Sequence, residues 1–323
     1  MPYICSEDDF LALVDTYFPR AHPSLLLGRG DDCAEVACPE RLAVSTDLFL
    51  EDVHFRRAYF TPHEVGYKAL AVNVSDLAAA GAVPVGFSAA LVCPLPFPRE
   101  DAKEFLAGMA AMAAPLHLAL AGGDIARGDK LGVCITIWGA PVAEDAPFLR
   151  RHPVQPGYTL FYCGHMGLAR TGLSMLELEG RAALTAYPAA CAAHLTPIPL
   201  IRAGQAIAAA FPSCRLMDIS DGLARDLPRM LGEHGADIAM PPETLHPEVL
   251  AFALHTGIEP GILACSGGED FGLLGACPAD SYAHLTTALS GIAPPVFLGA
   301  VTEKPGITLN GTAAPICGFD HFS

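Results

Sequence analysis

"AVNVSDLAAAGA", residues 71–82, sets one carboxylate, Asp76, among small apolar residues, one Asn and one Ser. Pro62 upstream suits a first helical turn and Gly81 a helix end, so the spacing predicts a helix over 62–80. On that helix Asn73 and Asp76, three apart, share a face. Asp is a poor mid-helix residue, so it needs a reason to be there, and its Ala and Gly neighbours let other backbones come close. The competing reading is a membrane span, because 77–98 and 105–123 contain no Asp, Glu, Lys or Arg and approach the length a bilayer requires. Pro84, Pro94, Pro96 and Pro98 interrupt the first stretch, and Pro115 and His117 the second, which runs into Gly122-Gly123-Asp124. Both therefore read as buried helix–loop–strand units.

Outward from this helix the pattern alternates. "SEDDFLALVDTYF" (6–18) opens with Ser6 and Asp9 in capping spacing, followed by apolar residues at helical period. Strand-like runs at 24–27 and 42–48 each end where acids begin, in "GRGDD" and "STD". Strands are expected at 85–92 and 132–139, with a helix around 99–114 between them. The polar, three-proline segment "EDAPFLRRHPVQPGY" (144–158) breaks the period and places a domain boundary near 145, giving domains 1–145 and 146–323. The second half continues with a strand at 159–163 and helices at 167–179 and 199–210. Further on come a strand into "MDISDG", a helix from about 221, strands at 271–276 and 296–301, and a helix near 279–289. Interleaved strands and helices indicate an α/β (α+β) fold in two domains.

The 323 residues are 52% hydrophobic, enough for a large core, and the net charge is −16. Such an acidic chain argues against nucleic-acid or anionic-membrane partners, which want a basic surface. The eleven cysteines include no C-x-x-C pair, which suggests free thiols in a reducing cytoplasm. No basic region followed by an apolar run marks a signal peptide at the start.

The acids fall in an unusual place. Asp31-Asp32, Asp47, Asp76, Asp124, Asp218 and Asp221 sit at the end of apolar runs or inside them. Buried carboxylates are costly unless paired or metal-bound, and 19 Lys plus Arg cannot pair 35 acids. Shared Mg²⁺ ions resolve the deficit, since Mg²⁺ takes one or two carboxylates together with phosphate oxygens. Beside Gly and Ser, Asp31, Asp218 and Asp221 also suit turns. "AGGDIARG" (121–128) and "SGGEDFGLL" (266–274) each place an acid after a glycine pair, which fits either close backbone approach to a ligand or a tight turn. No G-x-x-x-x-G-K-[ST] occurs, and "GRGDDC" lacks the third glycine of a dinucleotide fingerprint.

Taken together, "GRGDDCA", "AVSTDLFLEDVHF", "GYKALAVNVSDLAAAGA", "AGGDIARG", "MDISDGLARDL", "SGGEDFGLL" and "GFDHF" (318–322) resemble, in order and spacing, the thiamine-monophosphate kinase family. Its superfamily also holds aminoimidazole ribonucleotide synthetase and selenophosphate synthetase. The resemblance implies an aminoimidazole ribonucleotide synthetase-like fold and a homodimer whose N-terminal sheets join in a barrel. It also implies transfer of the ATP γ-phosphoryl group to thiamine monophosphate. By matching positions, Asp32, Ser45, Thr46, Asp47, Asp76, Asp124, Asp218 and Asp221 would hold Mg²⁺. Gly123, Asp124, Arg151 and Ser220 would contact ATP, and His54, Glu269 and Phe319 the thiamine phosphate. No general base is assigned, because the acceptor is already an anionic phosphate oxygen. Ile125, Ala126, Asp52 and Gly272 depart from the family pattern and bear on acceptor choice. Two other functions remain to be told apart: an ATP-dependent ligase of the aminoimidazole ribonucleotide synthetase kind, and a non-catalytic Mg-nucleotide binding module.

Overall fold

The computed structural model describes residues 2–313; Phe319 lies outside them. The chain divides into two compact units, Met1–Leu77 with Val83–Pro141, and Ala78–Ala82 with Val142–Ser323.

The first unit begins with α1 (Glu7–Tyr17), whose Ser6 cap accepts from the Asp9 N–H at 3.2 Å, as the capping spacing predicts. A small hairpin, β1 (Leu25–Leu27) and β2 (Glu35–Val36), follows. Next come β3 (Ala43–Leu50), α2 (Pro62–Ala79), β4 (Val83–Pro94), α3 (Arg99–Ala113), β5 (Ala119–Gly128) and β6 (Gly132–Ala140). The four longer strands form one sheet in the order β3-β6-β4-β5, with only the β4–β5 pair parallel. Residues of β3 alternate between faces: Ser45, Asp47 and Phe49 lie with buried Val133, Ile135 and Ile137 of β6, while Val44, Thr46 and Leu48 point outward. Helices α2 and α3 meet through glycines. A Cβ on Gly66 would lie 1.9 Å from the Phe105 carbonyl oxygen, and one on Gly108 1.9 Å from that of His63. Gly66 of α2 and Gly108 of α3 are thus demanded by backbone-to-backbone packing.

The second unit carries β7 (Thr159–Cys163), α4 (Leu168–Glu179), α5 (Ala183–Ala186), α6 (Pro188–Leu195), α7 (Ile201–Ala210), β8 (Arg215–Asp218), α8 (Leu223–Leu231) and β9 (Gly235–Ile238). They are followed by α9 (Pro247–Thr256), α10 (Pro260–Ser266), β10 (Leu273–Cys277), α11 (Tyr282–Leu289), β11 (Val296–Thr302), β12 (Ile307–Leu309) and β13 (Thr312–Ala313). Its seven-stranded sheet runs β13-β12-β9-β11-β7-β10-β8. The fully buried strands β7 and β10 read as continuous apolar runs, because both of their faces are covered.

Three expectations are corrected. "STD" does not end a strand: residues 45–47 sit in the middle of β3, where alternation half-buries the serine and the aspartate and exposes Thr46. "AGGDIARG" is not a turn but most of β5. Gly123 is required there by strand packing, since a Cβ would meet the Ala89 carbonyl oxygen at 1.9 Å, whereas Gly122 faces open space. Helices α6, α9 and α10 and strand β9 went unread: the helices are ten residues or fewer, too short for a clear helical period, and β9 has only four residues. Among the described residues no single helix is long and apolar enough to cross a membrane, and none of the described cysteines is in a disulfide.

Candidate active site

In the first unit the sheet and α2 bring three of the singled-out residues together. Ser45 Oγ donates to Asp76 Oδ2, and the Asp47 carboxyl is hydrogen-bonded to Asp76. Burial, and then the adjacent Asp76 charge, push Asp47 up to about 7, the behaviour of two carboxylates forced to share a site. Asn73, one turn before Asp76, is 1% exposed; its amide N–H donates to the Ala69 carbonyl at 2.9 Å while its Oδ1 has no hydrogen-bond partner. Thr46 is turned the other way, its hydroxyl 2.8 Å from that of Thr136 on the outer face. His54 accepts from the Leu50 N–H at 3.1 Å and stacks on Phe49. The neighbouring Asp52 has φ 66 and pairs with Lys130 at 2.8 Å. A left-handed backbone explains why glycine suits that position, and the lysine bond holds the Asp52 carboxyl below its ordinary value.

Asp31, Asp32, Gly123 and Asp124 line a second feature of this unit, a cavity of about 300 Å³ whose lining also includes Phe10 and Val14 of α1 and Phe105 and Met109 of α3. Sequence reasoning missed what anchors its acidic loop. Arg29 donates to the Leu120 carbonyl at 2.6 Å, to the Phe18 carbonyl, and to Asp15 at 3.0 Å, tying the segment before Asp31 to β5 and α1. Asp32 itself donates its N–H to Asp31 Oδ1 at 2.7 Å, and both residues are exposed.

In the second unit two loops are joined by their backbones. Ile219–Gly222 follows β8 and Gly267–Gly272 precedes β10. Glu269 N–H donates to the Ser220 carbonyl at 2.7 Å, Phe271 N–H to the Ile219 carbonyl at 2.9 Å, and Ile219 N–H to the Gly272 carbonyl at 2.9 Å. The approach is close enough that a Cβ on Gly268 would lie 2.7 Å from the Ser220 carbonyl oxygen. Glu269 (φ 65) and Phe271 (φ 45) take the left-handed region, a strain of about 1–3 kcal/mol each that persists only where the surroundings enforce it. Asp218, 7% exposed at the end of β8, Ser220, Asp221 and Glu269 therefore share one corner. Exposed Arg151 precedes β7 in the same unit.

Four side chains around this corner carried no sequence signal of their own. His194 on α6, buried, places Nδ1 3.0 Å from Glu269 Oε2. Asp270 accepts from the Gly167 N–H at 2.6 Å and the Ala169 N–H at 3.0 Å, capping α4, which has no cap side chain of its own. Asp226, with no exposed surface, accepts from the N–H groups of Ser220 (3.1 Å) and Asp221 (3.0 Å). Burial pushes its carboxyl up, and the Asp221 N–H and Arg229 pull it back. Arg229 reaches both Asp221 and Asp226 at 2.8 Å.

Among the described residues no three His, Cys, Asp or Glu side chains lie close enough to hold a metal by themselves. The donor set around Asp76 nonetheless fits a hard cation that keeps waters and takes phosphate oxygens. It offers two apposed carboxylates, a hydroxyl and a buried amide oxygen without a partner, all oxygen donors.

Residues 30–140 match the family described as AIR synthase related protein, N-terminal domain. The thiamine-monophosphate kinase of Escherichia coli (strain K12) is 33% identical over 335 residues, covering 99% of each chain. The crystal structure of thiamine-monophosphate kinase from Stenotrophomonas maltophilia K279a superposes with a TM-score of 0.79 at 28% identity, covering 95% of this chain and 96% of that one. The structure of AaThiL complexed with AMPPCP and TMP gives a TM-score of 0.76 at 25% identity, covering 98% and 97%.

Proposed function

The chain belongs to the thiamine-monophosphate kinase family, and we propose that it transfers the γ-phosphoryl group of ATP to thiamine monophosphate with the assistance of Mg²⁺, releasing thiamine diphosphate and ADP. The observation that carries the Mg²⁺ part is the Asp47–Asp76 pair. Two half-buried carboxylates, one on β3 and one on α2, are held together, and burial and then the Asp76 charge push the Asp47 carboxyl up to about 7. That arrangement is costly on its own and becomes favourable around a divalent cation.

In this reading Asp47, Asp76 and Ser45 hold Mg²⁺, with Asp32 and Asp124 doing so at the cavity beside Gly123 and Asp218 in the second unit. Thr46 belongs to the set only through its main chain, because its hydroxyl faces outward. Bound Mg²⁺ supplies charge neutralisation on phosphate oxygens, which would otherwise repel the anionic acceptor. The chain's own residues do the rest. The cavity of the first unit is lined by apolar side chains together with acidic residues and Gly122 and Gly123, a mixed composition that suits a nucleotide. Gly123, Arg151 and Ser220 contact ATP. His54, fixed by Leu50 N–H and Phe49, and Glu269, fixed by His194, contact the thiamine phosphate. Since the acceptor needs no deprotonation, positioning replaces a general base.

The outer face of the first unit's sheet exposes Val44 (63%) and Leu48 (55%) beside Val92, an apolar strip that suits a second copy of the chain. A homodimer, working in a reducing cytoplasm, is part of this proposal. Light scattering on the purified protein is expected to give twice the chain mass, and a monomeric mass at micromolar concentration would remove the dimer.

The deciding assay supplies Mg²⁺-ATP and thiamine monophosphate and measures thiamine diphosphate and ADP. Equal amounts of the two products are expected. ADP released only with formylglycinamidine ribonucleotide would favour the ligase, and nucleotide binding without turnover the non-catalytic module.

A further inference from the structure

We propose that Arg229 is a built-in cation that occupies Asp221, so that Asp221 does not ligate a divalent ion in this protein and Asp218 is left as the metal-binding carboxylate of that corner. The resemblance to the kinase family assigns Asp221 to a further Mg²⁺; the geometry assigns it to a guanidinium. Arg229 Nη1 lies 2.8 Å from Asp221 Oδ2, and Arg225 Nε approaches that same oxygen at 3.9 Å. A divalent ion on this carboxylate would have to displace Arg229 or sit against its positive charge.

Displacement is opposed by the second contact of the same nitrogen. Arg229 Nη1 also lies 2.8 Å from Asp226 Oδ1. Asp226 has no exposed surface, and its other oxygen is already committed to the N–H groups of Ser220 and Asp221. If Arg229 left to accommodate a metal, a fully buried carboxylate would lose its counter-charge, and breaking one side of a buried ion pair is strongly unfavourable. The bridge is covalently preset: Asp226 and Arg229 are three apart on α8, so they share a helix face. Gly222, with φ 95 and Gly267 packed against it, brings Asp221 back over the start of that helix. A guanidinium stays charged across the whole working pH range, so Asp221 and Asp226 keep this counter-charge throughout.

The inference rests on the kinase reading for the role of the corner, and on the ion-pair geometry for the identity of its cation. Mn²⁺ serves as the probe, with the ions bound per full-length chain counted from the free Mn²⁺ signal in electron paramagnetic resonance. Asp221→Asn is expected to bind as many Mn²⁺ ions as the unaltered chain, and Arg229→Gln to bind one more. Loss of an ion in Asp221→Asn, or no gain in a folded Arg229→Gln, overturns the proposal. Should Arg229→Gln fail to fold, the Asp221→Asn count decides alone. Asp76→Asn is the control for the kinase reading: that reading requires it to lose an ion, and a count unchanged there would tell against Mg²⁺ at Asp76 and not against Arg229.

Discussion

Asp76→Asn is expected to lower kcat by about 10²–10³-fold, the scale on which single electrostatic stabilisers of a developing charge act, while the protein folds normally. The substitution changes one atom of the side chain, and the Ser45 hydroxyl keeps an oxygen to donate to. It also removes the charge that helps push Asp47 up, so the melting temperature of the metal-free protein should stay level or rise. Loss of activity with retained or increased stability is the signature of a residue kept for function against stability. A merely structural Asp76 would give the opposite pair of results. Near-normal kcat, or a large fall in melting temperature, would sink the account of this residue, and steady-state kinetics with a thermal melt on the same preparation decides it.

How far this was readable from the chain differs by residue. Asp76 was legible because a lone carboxylate in a run of small apolar residues contradicts both helix propensity and burial. Two rules broken at one position point to function. Asp47 was recognised as special but misplaced at a strand end. The run was ended at 48, just past the acid, although period-2 alternation continues through Ser45 and Asp47 to Phe49. The glycines of β5 had the reverse fate. A tight turn and close approach to a ligand were both open for them; the turn is excluded by the strand, and Gly123 is required in any case by the Ala89 carbonyl of the neighbouring strand, a constraint visible only once the two strands are paired. The α/β (α+β) class followed directly from the alternation of elements, whereas sheet order depends on contacts between segments far apart in sequence.

The supporting side chains were hardest to find, since nothing local distinguishes them. His194 sits in an alanine-rich stretch, and its relation to Glu269 spans 75 positions of chain. Arg229 drew no reading from the sequence, and its role shows only once Asp221 and Asp226 are placed beside it. Such residues hold motif positions without belonging to motifs. The left-handed Glu269 and Phe271 show what they are needed for. A strained loop keeps its shape only when tied at several points, here to Ser220, to His194 and, through Asp270, to the start of α4.

That last tie carries the second large expected effect. Asp270→Ala should destabilise the protein by about 2–4 kcal/mol, because it orphans two main-chain donors, each worth about 1–3 kcal/mol when left unsatisfied, at a helix start that has no other cap. With the loop loosened, KM for thiamine monophosphate should rise more than kcat falls, since Glu269 is the adjacent residue. The pH dependence separates charge from shape. Burial pushes the Asp270 carboxyl from 3.8 up to about 7, against the pull of the Gly167 and Ala169 N–H groups. A folded-state value above the unfolded one means that the native protein binds the proton more tightly, so the associated stability is fully present below 3.8 and is lost as pH rises through about 7. Asp270→Asn keeps one acceptor oxygen and cannot titrate. The stability of the unaltered chain relative to Asp270→Asn should therefore shrink between pH 5 and pH 8 in urea unfolding. A gap that widens with pH would show that the N–H groups and the α4 dipole hold Asp270 ionised, and would reverse the sign argued for it.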